Sequence, residues 1–199
     1  MEAYYDERDS LINKYNHASD QLERLRKTNV FNDVFRIWHD GPFGTINNLR
    51  LGRLPNAPVE WSEINAAWGQ ALLLLNTLAN KMEYKFQNYR LIPNGSFSRI
   101  ERTTDGRVLD LFTTGEIGRF FKSGRSDAMV AFLDCLKQLG VVAESRDKEK
   151  TFKVPYPIEG DLIGGCSIKA QFNDVEWTRS LKFTLTNLKW LLAWSSHQG

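Results

Sequence analysis

The residues that could do chemistry in this chain are few and do not converge. His17, His39 and His197 fall on a heptad-patterned helix, at a hairpin-like turn and near the end of the chain. They show no metal-ligand spacing. Cys135 lies in a helical pattern and Cys166 beside Gly164-Gly165. That spacing makes neither a metal nor a redox motif, so both read as buried thiols of a reducing compartment. There is no phosphate loop, no dinucleotide fingerprint and no Gly-x-Ser-x-Gly elbow, and Gly164-Gly165 reads as a turn. Carboxylates are plentiful, but one sequence does not show which of them meet, and solvated surface is the default for each. The sequence nominates no catalytic residue, no metal ligand and no cofactor.

The segment Gly118-Arg119-Phe120-Phe121-Lys122-Ser123-Gly124-Arg125 has a different chemistry. Two adjacent phenylalanines stand between glycines and among three cations, between a strand pattern and a helix pattern. Glycine flanks favour a loop. A loop carrying Phe120 and Phe121 forward, with Arg119, Lys122 and Arg125 beside them, suits a membrane surface, because Phe seeks the acyl boundary and cations seek anionic head groups. A fully buried Phe contributes ~1.5–3 kcal/mol and each cation ~1 kcal/mol on an anionic leaflet. That is reversible adhesion, useful when other subunits add avidity. The same residues also allow another reading, in which the two phenylalanines plug the core at the start of the helix.

Several elements must position these residues. Residues 4–25 carry a heptad seam: Tyr4, Leu11, Ala18 and Leu25 fall at one core position, and Arg8, Tyr15 and Leu22 at the other. The seam is flawed by a charge, a small residue and two hydroxyls, and a helix this short is marginal alone. It needs a partner surface, either another chain or its own domain. Thr28-Asn29 breaks the helix. Val30–Trp38 and Phe43–Leu51 then read as strands around Asp40-Gly41-Pro42. A helix is expected from Trp61–Glu63 to about Met82, its Ala71–Leu75 run apolar all round. Tyr84–Ile92, Ser96–Arg102 and Val108–Phe112 read as strands. A second helix takes Ser126 as N-cap, with Gly140 just past its end. After a charged linker, Glu144–Lys150, strand signal returns at Phe152–Tyr156 and Cys166–Phe172. A last helix is capped by Asn173 with Glu176 three residues on, and runs to about Ser195. It is apolar on two faces, Trp177, Leu181, Leu185, Leu188 and Leu192 on one and Phe183, Trp190 and Trp194 on the other, which makes it structural. The pattern is strands then helix, three times. Glu60-Trp61-Ser62 and Glu176-Trp177-Thr178 open the first and last helices alike. The fold class is α+β: three consecutive β-sheet–α-helix repeats in one globular domain at 29–199, preceded by a coiled-coil-type helix at 1–28.

Composition sets bounds on partners. With 199 residues, 42% of them hydrophobic, the chain can bury one core. A net charge of +2 does not fit a general nucleic-acid binder. The charged N-terminus lacks a secretory h-region, and no apolar run approaches the ~20 residues of a membrane span. The opening inside a heptad reads as part of a longer protein. Trp38-His39-Asp40-Gly41 reads as a structural turn after an aromatic-rich strand.

Three collinear strings carry a family resemblance. Phe43-Gly44-Thr45-Ile46-Asn47-Asn48, continuing through Arg50-Leu51-Gly52-Arg53-Leu54-Pro55 to Ile64-Asn65-Ala66-Ala67-Trp68-Gly69-Gln70, resembles the C-terminal domain of the Beclin family. So do Ala128-Met129-Val130-Ala131-Phe132-Leu133-Asp134-Cys135 and Leu185-Thr186-Asn187-Leu188-Lys189-Trp190, in the same order, and the resemblance covers roughly Thr28 to Trp194. It implies three β-sheet–helix repeats. It also implies a non-catalytic subunit of the class III phosphatidylinositol 3-kinase complex, acting in autophagy and endosomal or vacuolar sorting. The implied partners are the kinase's catalytic and scaffold subunits, a regulatory subunit joined through the coiled coil, and anionic membrane lipids, with no nucleic acid and a possible weak homodimer. Tyr4, Leu11, Tyr15, Ala18, Leu22 and Leu25 would then face the coiled-coil partner. The implied location is cytoplasmic, peripheral on endomembranes such as the autophagosome precursor, endosome or vacuole. The family carries an aromatic finger at Phe120-Phe121, with Trp as third residue in vertebrate members. Here that residue is Lys122, which implies shallower, more charge-dependent insertion. A stand-alone lipid-binding module, without need of the heptad helix, is the alternative. An enzyme on lipid head groups would need convergent histidines or carboxylates.

Overall fold

The structure is a computed structural model that describes residues 10–23, 33–114, 123–169 and 173–198, with backbone alone at 123–125. Helix α1 spans 10–23. Three antiparallel meanders follow, each leading into a long helix. The first is β1 (Ile37–Asp40), β2 (Phe43–Ile46) and β3 (Leu49–Leu51), then α2 (Trp61–Lys81). The second is β4 (Tyr89–Ile92), β5 (Arg99–Arg102) and β6 (Arg107–Asp110), then α3 (Ser123–Arg146). The third is β7 (Ile158–Glu159), β8 (Leu162–Ile163) and β9 (Cys166–Ser167), then α4 (Asp174–His197). The threefold β-sheet–helix order of an α+β domain is therefore present.

Turn chemistry sets the strand boundaries. Gly41, at φ +54°, and Pro42 make the two-residue turn between the paired residues Asp40 and Phe43. The expected single strand Phe43–Leu51 is in fact two. Asn47 and Asn48 both adopt left-handed φ, 51° and 65°, and fold β2 back onto β3. Asparagine tolerates that region, and its amide also serves the turn. The Asn47 side chain accepts from Arg36 N–H at 2.8 Å and donates to Val34 C=O at 2.9 Å. The strand expected at Phe152–Tyr156 is irregular backbone, because its donors and acceptors are taken by side chains instead of a neighbouring strand. Asp147 Oδ2 accepts from Thr151 and Phe152 N–H, each at 2.9 Å.

Helix α2 ends within a residue of expectation. Helix α3 begins at Ser123, before the expected Ser126 cap, and runs through Gly140 to Arg146. Gly140 is therefore no terminator. Its missing side chain gives room to Val154, whose Cγ1 lies 3.4 Å from where a Cβ would stand. The Asn173 cap of α4 is present, its Oδ1 accepting from Glu176 N–H at 3.1 Å.

The core is continuous across the repeats. In the second sheet, the cross-strand row Leu91–Ile100–Leu109 points inward. Trp68 of α2 meets Phe132 of α3 edge to face, with centroids 5.2 Å apart. α4 is the central helix. Trp177, Leu181, Leu185 and Leu188 are buried, and β2 crosses α4 at Gly44, where a Cβ would lie 3.1 Å from Lys182 Cα. Buried hydroxyls on α4 bond back into the helix, Ser180 to Trp177 C=O at 2.6 Å and Thr184 to Ser180 C=O at 2.8 Å, so they enter the core satisfied. Its second apolar face is only partly inward: Phe183 and Trp194 are half-buried and Trp190 is exposed. On α2, Leu73 likewise turns outward while its neighbours are buried. The matching helix openings meet in space, the Trp61 and Trp177 rings lying 6.2 Å apart.

Each repeat helix also holds one residue of irregular backbone by a side-chain amide that pairs with both its N–H and its C=O. Asn65 of α2 donates to Thr113 C=O at 2.7 Å and accepts from its N–H at 3.0 Å. Gln138 of α3 does the same for Gln87, at 3.3 and 2.8 Å, and Asn187 of α4 for Tyr156, at 2.8 and 3.1 Å. A loop that packs on a core leaves backbone polar groups without strand partners, and these amides supply the missing partners.

Candidate membrane and partner surfaces

Phe120, Phe121, Arg119 and Lys122 lie outside the described residues, and Arg125 falls in the first turn of α3 with its side chain undescribed. The frame that holds the segment is described. Before it, Asn65 clamps Thr113, and Leu111 N–H donates to Ser98 C=O at 3.1 Å. After it, α3 is tied to β6 through Asp127 and Arg107, 3.7 Å apart. The described chain thus stops just past the clamped Thr113, three residues after β6, and resumes at the start of α3.

Beside the anchored strand end stands an aromatic pair that sequence reasoning did not single out. Phe97 and Phe112 meet edge to face at 5.2 Å, with the Arg99 guanidinium 5.7 Å from the Phe112 ring. Phe97 is 56% exposed. An aromatic immediately after the turn-rich stretch Pro93-Asn94-Gly95-Ser96 was the available signal.

Of the heptad residues, Leu11, Tyr15, Ala18 and Leu22 are described, while Tyr4, Arg8 and Leu25 lie outside the described residues. The four described ones lie on α1, and every residue of α1 is exposed, Tyr15 at 75%. The stripe does not pack against the described part of the domain. Trp38 is 62% exposed, stacked on His39 with centroids 5.1 Å apart and with Lys189 Nζ 4.6 Å from its ring. Trp38, His39 and Asp40 belong to β1, and of the string read as a turn only Gly41 lies in it.

The titratable groups near these surfaces are structural. Arg50 Nε and backbone N–H both donate to Glu63 Oε1, at 2.9 and 2.8 Å, and Arg50 Nη2 to Oε2 at 2.9 Å. This bidentate hydrogen bonding holds the Glu63 carboxyl below the usual range. Asp147 is also lowered, first by the Phe152 N–H, and its Oδ1 accepts from the Trp194 indole at 3.3 Å. Burial pushes the Cys135 thiol far up, which makes it a poor nucleophile. Cys166 is half-buried, less enclosed than the sequence implied. Among the described residues no group of three His, Cys, Asp or Glu is placed to hold a metal, and no helix is long and apolar enough to cross a membrane.

The sequence of this α+β domain matches a known family. Residues 25–197 match the Apg6 BARA domain. The chain is 52% identical to Beclin-1 of Xenopus laevis over 205 aligned residues, covering 97% of this chain and 45% of that protein. It is 51% identical to Beclin-1-like protein B of Dictyostelium discoideum, covering 95% of this chain and 23% of that one. It is 45% identical to vacuolar protein sorting-associated protein 30 of Gibberella zeae, covering 99% and 45%. The chain belongs to the Apg6/Beclin family. It spans less than half the length of these relatives.

Proposed function

We propose that this chain is the membrane-facing part of a non-catalytic regulatory and scaffold subunit of the class III phosphatidylinositol 3-kinase complex, acting in autophagy and in endosomal and vacuolar sorting. Residues 1–28 form the end of a coiled coil and residues 29–199 the repeat domain. Phe120 and Phe121, aided by Arg119, Lys122 and Arg125, adhere to anionic endomembranes. The single observation that carries the reading is the family match over 25–197, in a chain whose described α1 stripe is exposed. A stand-alone lipid module has no use for that stripe, whereas a subunit joined by a coiled coil does. The name of the Gibberella zeae relative supports the vacuolar sorting role. The absence of a catalytic motif in the sequence supports a scaffold. The separate kinase subunit would phosphorylate phosphatidylinositol while this chain helps hold the complex on the membrane.

The test is phosphatidylinositol phosphorylation on liposomes by the kinase subunits with and without this subunit, its full coiled coil restored. The reading expects no phosphorylation by this subunit alone and a marked increase when it joins the kinase. Phosphorylation by the isolated chain, at a purity that excludes contamination, would contradict it.

A further inference from the structure

Helix α4 carries a second stripe beside its core spine. Val175, Thr178, Arg179, Lys182 and Phe183 follow the i, i+3, i+4, i+7, i+8 spacing of one helix face and line a surface cleft of about 580 Å³. The facing walls come from distant parts of the chain: Pro42 from the turn of the first sheet, Leu54 and Asn56 from the loop after it, and Tyr156 from the approach to the third. These walls are fixed. Tyr156 has its backbone clamped by Asn187, and its ring stacks on Phe183 at 3.9 Å and 14°. The Thr178 hydroxyl donates to Arg53 C=O at 2.7 Å and accepts from Arg53 N–H at 3.0 Å.

The charge of this cleft is one-sided. Its lining includes two cations and no carboxylate. Arg179 is exposed, and neither it nor Lys182 forms an ion pair with a carboxylate among the described residues. Among the described residues, Lys182 Nζ reaches Gly41 C=O alone, at 3.4 Å. The arginines of the second sheet, by contrast, have partners: Arg99 with Asp110, Arg102 with Asp105 and Arg107 with Asp127. The rest of the lining is mostly apolar and aromatic, and Val175 is 52% exposed. A phosphorylated head group would use the two cations and leave Pro42, Leu54, Val175 and Phe183 without a contact. An acidic peptide uses both halves, since Arg and Lys take carboxylates and the aromatic wall takes an aliphatic or aromatic side chain.

We propose that this cleft binds a short acidic peptide segment of a partner protein, its Asp or Glu carboxylates on Arg179 and Lys182 and a neighbouring apolar side chain against the Tyr156–Phe183 stack. This binding takes place in solution and is independent of the membrane reading above.

The test pans a random heptapeptide display library on the chain and on the Arg179→Glu/Lys182→Glu variant. It then measures selected synthetic peptides by fluorescence anisotropy at two salt concentrations, with thermal melts of each protein. The expected consensus pairs Asp or Glu with a large apolar residue. Binding should weaken about tenfold or more in the charge-reversed variant and fall with salt, as for solvent-facing charge pairs. Val175→Glu, a change at an exposed position, should weaken the same peptides at an unchanged melting temperature. Enrichment without acidic bias, no enrichment, or peptides bound equally by all three proteins would overturn the proposal. So would vesicles containing phosphatidylinositol phosphates that bind through Arg179 and Lys182 while the peptides do not, which would make the cleft a head-group site.

Discussion

Helices α1 and α4 are both patterned with apolar residues at three- and four-residue spacing, yet one is wholly exposed and the other threads the core. The difference lies in width and volume. The α1 stripe is two positions wide, with little volume at Ala18 and a hydroxyl to satisfy at Tyr15. The inward face of α4 offers Trp177, Leu181, Leu185, Leu188, Leu191 and Leu192, and the buried Ser180 and Thr184 hydroxyls are satisfied within the helix. Periodicity therefore tells which residues share a face. Side-chain volume and polar satisfaction tell whether a domain can use that face itself or must leave it to a partner.

The largest effect should separate these two helices. Trp177→Ala is expected to cost ~3–5 kcal/mol of unfolding free energy, as for a large buried aromatic, because it empties a fully enclosed site against Trp61. Leu22→Ala on α1 is expected to stay within ~0.5 kcal/mol. Urea denaturation of both variants checks this. Similar losses would show that α1 shares in the core.

A smaller effect should mark the amide clamps. Asn65→Leu removes the amide that bonds the Thr113 N–H and C=O, a loss of ~1–3 kcal/mol. It should also speed hydrogen exchange at Thr113, where the strand end meets the candidate finger. Exchange unchanged at Thr113 would mean the clamp does not govern that strand end.

The smallest effect should appear in acid. Asp147 has a folded pKa below its unfolded value of about 3.9. Its stabilisation is complete above that unfolded value and is lost as pH falls through the lower folded one. The melting-temperature advantage of the native chain over Asp147→Asn should therefore be full at pH 6 and narrow below about pH 4. A constant difference from pH 6 to pH 2 would remove the charge from the account.

The three-repeat architecture was readable in the sequence because long apolar helices and turn residues recur with the repeat. The same holds for the span of α2 and the Asn173 cap. The hairpin at Asn47-Asn48 was not readable, because its turn lies within an otherwise strand-like run and is fixed by an asparagine that also bonds residues Val34 and Arg36. In the third sheet the strand expected from Cys166 is present as β9, but β7 and β8 were missed because they are two residues long, too short for any period, while Phe152–Tyr156 has strand composition without a strand neighbour. The clamps formed by Asn65, Gln138 and Asn187 join residues 31 to 51 positions apart, a separation at which no local pattern exists. The facing walls of the α4 cleft come from distant segments, whereas Phe97 carried a local signal that was not used.

The central claim is that Phe120 and Phe121 serve a surface and not the core. Co-flotation of Phe120→Asp/Phe121→Asp with anionic liposomes, paired with its thermal melt, tests this directly. The account predicts that flotation is lost while the melting temperature stays at the parent value. A sharply lowered melting temperature, or flotation equal to the parent's, would contradict it.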